Sequence, residues 1–352
     1  MVSEVAPAPP ELPPDYLVIG RATTENFPVA SRLLPQAVRA DLMAIYGWAR
    51  LVDEVGDNYA GNRLAALDEV ERQLRSALGG AQGADLHPLV AGVASMVRRR
   101  DLPVQPLFDL LEANRQDQRV NRYETFADLA GYCRLSANPV GRLVLGVFGA
   151  STPERVEWSD KICTALQLVE HWQDVAEDAV VGRVYLPQED LRRFEVRVDD
   201  LLAPPAGYYE SPSRAGGPSR AGGPAPARER RRALMAFEVA RARRLLIEGT
   251  PLVASLRGRL RVAVAGFVAG GHAALDALAT AGFDIYAEWA RPRPRRFAWH
   301  LSRLLAGAYA GERAPGSDAQ EGRAAGADAQ EGRARRAPGA DDATATSVEA
   351  KA

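Results

Sequence analysis

The sequence predicts an all-α protein with a single helical domain. Apolar residues recur at helical spacing along most of the chain, the β-branched alternation of strands is scarce, and two acidic clusters continue apolar helical stripes. Leu42, Ile45, Tyr46 and Ala49 mark a first helix, and Ile162, Ala165, Leu166, Val169 and Trp172 mark a central one. Segments 65–79, 105–116, 139–149, 230–248 and 260–281 carry the same period. The one short strand-like stretch is Arg183-Val184-Tyr185-Leu186-Pro187.

Three stretches bury too little apolar surface to offset the entropy of ordering and are expected to be disordered. Residues 1–14 are proline-rich. Residues 204–225 form a Gly/Pro insertion that repeats Pro-Ser-Arg-Ala-Gly-Gly at 212–217 and 218–223. The tail, 312–352, repeats Asp-Ala-Gln-Glu-Gly-Arg-Ala at 318–324 and 328–334. Both acidic clusters precede the insertion, and the helices after it are needed to close a bundle. Residues 15–203 and 226–305 are therefore read as one domain.

Apolar residues make up 47% and charged residues 25% of the chain, the balance of an ordinary globular protein. The formal net charge of -1 argues against a general nucleic-acid binder. Cys133 and Cys163 have neither the number nor the spacing of a disulfide framework or a zinc site. Lysine occurs only at Lys161 and Lys351, a bias toward arginine that gene base composition explains more readily than phosphate recognition does. The first residues lack the basic and apolar regions of a targeting signal, and no uninterrupted apolar run reaches the ~18 residues of a spanning helix. The expectation is a cytoplasmic protein, held at most peripherally at the inner face of a membrane.

The first acidic cluster is Asp53-Glu54-Val55-Gly56-Asp57. Asp53 and Asp57 share a helical face, and Arg50 and Tyr46 lie three and seven residues before Asp53 on the same stripe. In the second cluster Gln167, Glu170, Asp174 and Asp178 are spaced by three, four and four, again one face flanked by apolar positions. Inward carboxylates are costly unless cations neutralise them. Two such stripes facing each other suit a hard divalent ion such as Mg²⁺, which combines a few carboxylates with water and phosphate oxygens. Arg183 and Tyr185 follow at the same end of the second helix, so a diphosphate bound through metal to the acids and directly to arginine fits the charge pattern. The competing reading, two solvated charged faces, sits poorly with matched clusters that both continue apolar stripes. A di-iron carboxylate bundle would need Glu-x-x-His pairs, and none of His87, His171, His272 and His300 has an acid three residues before it.

These residues resemble a known family. Tyr46-Gly-Trp-Ala-Arg50-Leu-Val-Asp53-Glu-Val-Gly-Asp57 resembles the first aspartate motif of squalene and phytoene synthases. Gln167 through Asp178, with Gly182-Arg183-Val184-Tyr185-Leu186-Pro187, resembles the second. Glu25 to Pro35, Tyr132 to Gly141, Gly270-Gly271 (where condensing relatives carry tyrosine) and Arg291-Pro292 are similar to the bacterial hydroxysqualene synthase branch.

The resemblance implies an isoprenoid synthase helical bundle around a central apolar cavity. It implies three Mg²⁺ ions on Asp53, Asp57, Asp174 and Asp178, which with Tyr46 form the expected catalytic set. Arg50, Gln167, Glu170, Arg183, Tyr185 and Arg291 are the expected diphosphate-binding residues. The implied substrate is a prenyl diphosphate, presqualene diphosphate, converted to hydroxysqualene, with the flanking pathway enzymes as possible partners. A synthase condensing two prenyl diphosphates and a non-catalytic helical scaffold at the membrane are the alternatives, the latter opposed by four intact aspartates. No Gly-x-Gly-x-x-Gly follows a strand, so no NADPH is expected. The chain departs from the family at Glu170, where many relatives have asparagine, and at Glu288, where condensing relatives place arginine.

Asn138 before Pro139 reads as a helix-capping residue at a break, His171 as a core or rim histidine, and Trp48, Trp158 and Trp172 as core. Tyr46 and Tyr132 read equally as packing residues or as a lining for a cation. Residues 289–305 interleave arginines with Trp289, Phe297 and Trp299, a pattern that either contacts a membrane or packs on the bundle.

Overall fold

The computed structural model describes residues 10–15, 34–81, 86–202, 227–286 and 293–307. The 204–225 insertion, the 312–352 tail, most of the proline-rich start, most of the Glu25–Pro35 motif, Glu288 and Arg291 lie outside the described residues.

The described residues form α1 (Gln36–Asn58), α2 (Arg63–Leu78), α3 (Pro88–Arg100), α4 (Gln105–Asp117), α5 (Phe126–Ser136), α6 (Asn138–Val147) and α7 (Pro153–Gln173). They continue as α8 (Val175–Val180), α9 (Gln188–Arg193), a 3₁₀ turn at Val198–Leu201, α10 (Ala227–Gly249), α11 (Pro251–Ser255), α12 (Gly258–Thr280) and α13 (Pro294–Leu305). No strand forms among them. Val184 makes one isolated bridge to Arg122, so the strand-like stretch is an extended loop. The fold is all-α, as the periodicity predicts.

Local signals set several helix starts. Asn62 Oδ1 accepts from the Ala65 amide to cap α2, and Thr152 Oγ1 accepts from the Arg155 amide to cap α7. Thr125 and Asp128 form a reciprocal capping box at α5. Asp101, in the left-handed region at φ 51°, closes α3.

Two apolar cores meet beside the acids. In one, Leu51, Val52 and Val55 of α1 pack with Leu67 and Leu74 of α2, Val93 of α3 and Leu107 of α4. In the other, Leu168 and Trp172 of α7 pack with Leu234 and Leu246 of α10 and Leu275 of α12. Val144 and Phe148 touch both, so α6 ties the first acidic helix to the second. By length and composition α12 could cross a membrane, although its apolar residues do not run uninterrupted. It packs against α7, α10 and α13, with more than half of its most apolar stretch buried inside the protein. Here it is a core helix.

A Cβ at Gly271 would stand 2.7 Å from Leu166 Cδ2 and 3.0 Å from Leu246 Cδ1, so the missing side chain lets α12 approach α7 and α10. At neighbouring Gly270 no such atom lies within 4 Å, and a side chain there would enter open space.

The acidic stripe of the second cluster is not one continuous helix. The chain breaks at Asp174 (φ -103°, ψ 10°), which ends α7 and precedes α8. No proline or glycine announces this break. The Asp174 amide still donates to the Glu170 carbonyl at 3.1 Å and the Asp178 amide to the Asp174 carbonyl at 2.8 Å. The four-residue repeat therefore survives the bend. Asn138 also differs from its expected capping role: it is the first residue of α6, buried, and its Oδ1 accepts from the Thr164 hydroxyl at 3.0 Å.

Away from the acids, α10 buries Glu238 completely, beside buried Asp190 of α9. Arg241 donates to Asp190 at 2.6 Å and to both Glu238 oxygens at 2.9 and 3.1 Å. One guanidinium cannot neutralise two buried carboxylates, and burial pushes Glu238 up to about 8. The folded state thus keeps a proton that the unfolded chain loses at ordinary carboxylate pH. The group's contribution to stability is full below about pH 4.5 and is lost as pH rises toward 8. Glu238→Gln is expected to remove that slope; urea unfolding midpoints across the window check it, and an unchanged slope would contradict the assignment.

Candidate active site

The last turns of α1 hold Arg50, Asp53 and Asp57 beside the end of α4. At Gly56 a Cβ would stand 2.1 Å from Asn114 Oδ1, so only glycine allows α4 this close. The contact positions Asn114, whose Nδ2 donates to Asp53 Oδ1 at 3.2 Å, and Gln118, whose Nε2 donates to the Gly56 carbonyl at 2.9 Å.

The second cluster arrives from α7 and α8. Beyond α8, Gly182 takes φ 82°, a left-handed turn that an L side chain would strain. The chain folds back so that the Arg183 amide donates to the Asp178 carbonyl at 2.9 Å. The Arg183 guanidinium then reaches across to Asp57, Nη1 to Oδ1 at 2.9 Å. One ion pair thereby joins sequence elements 126 residues apart.

The carboxylates feel one another. Loss of solvent raises Asp178 to about 7, helped by the charges of Asp174 and Asp57. Burial raises Asp53 to about 6, opposed by the Asn114 hydrogen bond and aided by Asp57. Asp174 is also raised, by burial and then by Glu177. Burial works against the charge of Arg183, but its hydrogen bond to Asp57 prevails and raises its pKa. This is a concentration of negative charge that a bound cation would relieve.

Asp117, at the end of α4, belongs to the same field. Its carboxylate accepts from the Tyr132 hydroxyl at 2.6 Å and the Tyr185 hydroxyl at 3.2 Å, and burial raises it to about 6. Tyr185 stacks on His171 with ring centres 3.7 Å apart, and Tyr123 lies 5.5 Å from Tyr132 and 6.0 Å from Tyr185. Burial pushes all three phenols up, so they remain neutral; Tyr132 and Tyr185 donate to Asp117, and Tyr123 accepts from Gln116. Burial, and then the charge of Arg183, holds His171 down at about 3, a neutral ring.

Of the expected site residues, the structure brings Arg50, Asp53, Asp57, Asp178, Arg183 and Tyr185 into one neighbourhood, with Asp174 at its edge. Gln167 Nε2 lies 3.2 Å from His171 Nε2, Glu170 is exposed on α7, and Tyr46 is buried in α1. Asn114, Asp117 and Tyr123 were not anticipated. A readable signal existed, since Leu110, Ala113, Asn114 and Asp117 fall three, four and seven residues apart and carry an acid onto an inward stripe, as in the first cluster.

Among the described residues no three His, Cys, Asp or Glu side chains gather around one point. The donors are oxygen-only and come in pairs from two facing elements. That set fits Mg²⁺, which keeps several waters and takes phosphate oxygens, and does not fit a metal needing a closed protein cage.

The all-α fold sets paired carboxylates and an arginine side by side, a donor set that suits a hard divalent ion and a phosphate group. The profile of the Squalene/phytoene synthase family matches residues 21–303, and the chain belongs to that family, whose members process prenyl diphosphates and are generally Mg²⁺-dependent. It is 39% identical over 183 residues to hydroxysqualene synthase of Zymomonas mobilis, covering 50% of this chain and 59% of that protein. It is 36% identical over 192 residues to 15-cis-phytoene synthase of Synechococcus elongatus, covering 51% and 61%. The matches thus span about three fifths of the length of these relatives. The crystal structure of squalene synthase HpnC from Alicyclobacillus acidocaldarius superposes with a TM-score of 0.64 at 37% identity, covering 77% of this chain and 95% of that one.

Proposed function

We propose that the chain converts presqualene diphosphate and water to hydroxysqualene and diphosphate. The observation that carries this reading is the meeting of the two aspartate clusters at the Arg183–Asp57 ion pair, beside a wall of neutral aromatic rings. The hydroxysqualene synthase relatives support the choice of product, and the space beside Gly270, where condensing relatives carry tyrosine, agrees with it.

In this reading Asp53, Asp57, Asp174 and Asp178 hold Mg²⁺, which supplies Lewis-acid stabilisation to the departing diphosphate. Arg183 and Arg50 add fixed positive charge, preorganised by their carboxylate neighbours. The bond from the cyclopropylcarbinyl carbon to the diphosphate oxygen breaks, and both electrons leave with the oxygen. The faces of Tyr123, Tyr132 and Tyr185 attract the carbocation left behind. His171 serves better neutral than charged, because an imidazolium there would repel that cation. Apolar surroundings exclude bulk water until the skeleton has rearranged. One water then forms the new C–O bond, and the released diphosphate takes up its proton. Neither an oxidant nor a reductant is consumed, so NADPH has no part in the step.

Supplying the purified protein with presqualene diphosphate, and separately with farnesyl or geranylgeranyl diphosphate, tests the reading. Hydroxysqualene from the first without added NADPH, and no condensation product from the others, is the expected result. Phytoene or presqualene diphosphate from the prenyl diphosphates would replace this reading with a condensing synthase.

A further inference from the structure

We propose that the outward face of α13 docks on the surface of an anionic lipid bilayer. This inference concerns a surface outside the candidate active site and does not depend on which product forms there.

The inner side of α13 is firmly held. His300 and Leu304 are buried, and Leu301 and Leu305 pack against the core. His300 Nε2 lies 2.9 Å from Asp276 Oδ2 of α12, and Arg261 of α12 donates to the Leu305 carbonyl at 2.7 Å. The helix is thus pinned as a rigid ridge.

Its other side is basic and aromatic. Arg293, Arg295 and Arg296 are exposed and Trp299 is 45% exposed, while Phe297, in the first turn above the inward stripe of Leu301 and Leu304, is 36% exposed. These are the only large aromatic side chains among the exposed hydrophobic residues described, and both lie on this one short helix. No acid occurs from 293 to 307. The nearby carboxylate of Asp276 is engaged by Arg243 at 2.9 Å and by His300, and Arg296 lies 3.8 Å from it, which leaves Arg293 and Arg295 as the arginines facing outward from the first turn. The basic surface extends beyond α13. The Arg261–Leu305 contact sets the start of α12 beside the end of α13, where Arg257 and Arg259 are also exposed.

Exposed arginines alone would suit any polyanion. Exposed tryptophan and phenylalanine among them favour an interface with charge outside and hydrocarbon beneath. A bilayer bearing anionic headgroups supplies both, and a rigid amphipathic helix lying flat matches its plane.

Co-sedimentation of the full chain with phosphatidylcholine vesicles, with and without phosphatidylglycerol, tests this. The wild type is expected to sediment with the anionic vesicles at low salt and to be released as salt rises. Each arginine near an anionic surface raises partitioning about fivefold, so Arg293→Ala/Arg295→Ala should lower it about twenty-five-fold. Trp299→Ser should weaken binding while leaving its salt dependence. Arg119→Ala/Arg134→Ala, which removes equal charge from another exposed region, should sediment as the wild type does. Circular dichroism and thermal unfolding verify that each variant is folded. Failure of the wild type to sediment, or equal loss in the control pair, would overturn the proposal. So would a Trp299→Ser effect confined to self-association in sedimentation velocity, which would make the face a contact between copies of this chain.

Discussion

Asp53→Asn and Asp174→Asn are each expected to lower turnover about a thousandfold or more while the helical fold remains. An amide is a poor Mg²⁺ ligand, and losing several kcal/mol of charge stabilisation at the departing oxygen translates to that factor. The two residues come from different clusters, in α1 and at the α7–α8 break. If the clusters serve one site, either substitution alone should be nearly as damaging as both together. Steady-state rates with the processed diphosphate, alongside far-UV circular dichroism, make the comparison. A variant retaining wild-type rates would remove its cluster from the site. Asp53 also accepts from Asn114, so Asn114→Ala should give a smaller loss that is partly recovered at higher Mg²⁺.

The largest structural loss is expected from Trp172→Ala. The indole is fully buried in the last turn of α7, within the core that joins α7 to α10 and α12. Truncation removes its packing and leaves a cavity, a loss of about 3–5 kcal/mol. For a fold of this size that corresponds to about 8–15 °C in Tm. Trp172→Phe should cost much less, because most of the apolar volume remains and the indole N–H is buried without a hydrogen-bond partner among the described residues. Thermal unfolding of both variants decides the point. A shift below about 2 °C for the alanine variant would show that the ring does not support the core.

The helices were legible because their signal is local. Leu42, Ile45 and Tyr46 repeat within one element, and Ile162, Ala165 and Trp172 within another, and burial follows that period. The aspartates were legible for the same reason, since four-residue spacing reports a shared face without any knowledge of the partner. The break at Asp174 was not legible: the residues around it, Gln173 and Val175, permit helix, and no proline or glycine marks the bend. The inward stripe that carries Asp117 was readable, but its partners Tyr132 and Tyr185 were not, because they lie 15 and 68 residues away and meet it only in the folded chain. Gly56 gave no hint either. Inside a helix it reads as a mild weakness, and its purpose is visible only against Asn114. Asn138 looked like a cap because it precedes proline, yet its side chain turns inward to Thr164.

In the proposed reading two separated aspartate pairs form one Mg²⁺-dependent diphosphate site bridged by Arg183. Titration calorimetry of the full chain with inorganic diphosphate, with and without Mg²⁺, addresses it most directly. Binding is expected only when Mg²⁺ and diphosphate are both present, and is expected to be abolished equally by Asp57→Asn in the first cluster and Asp178→Asn in the second. Binding of equal strength without Mg²⁺, or binding that survives loss of either cluster, would contradict it.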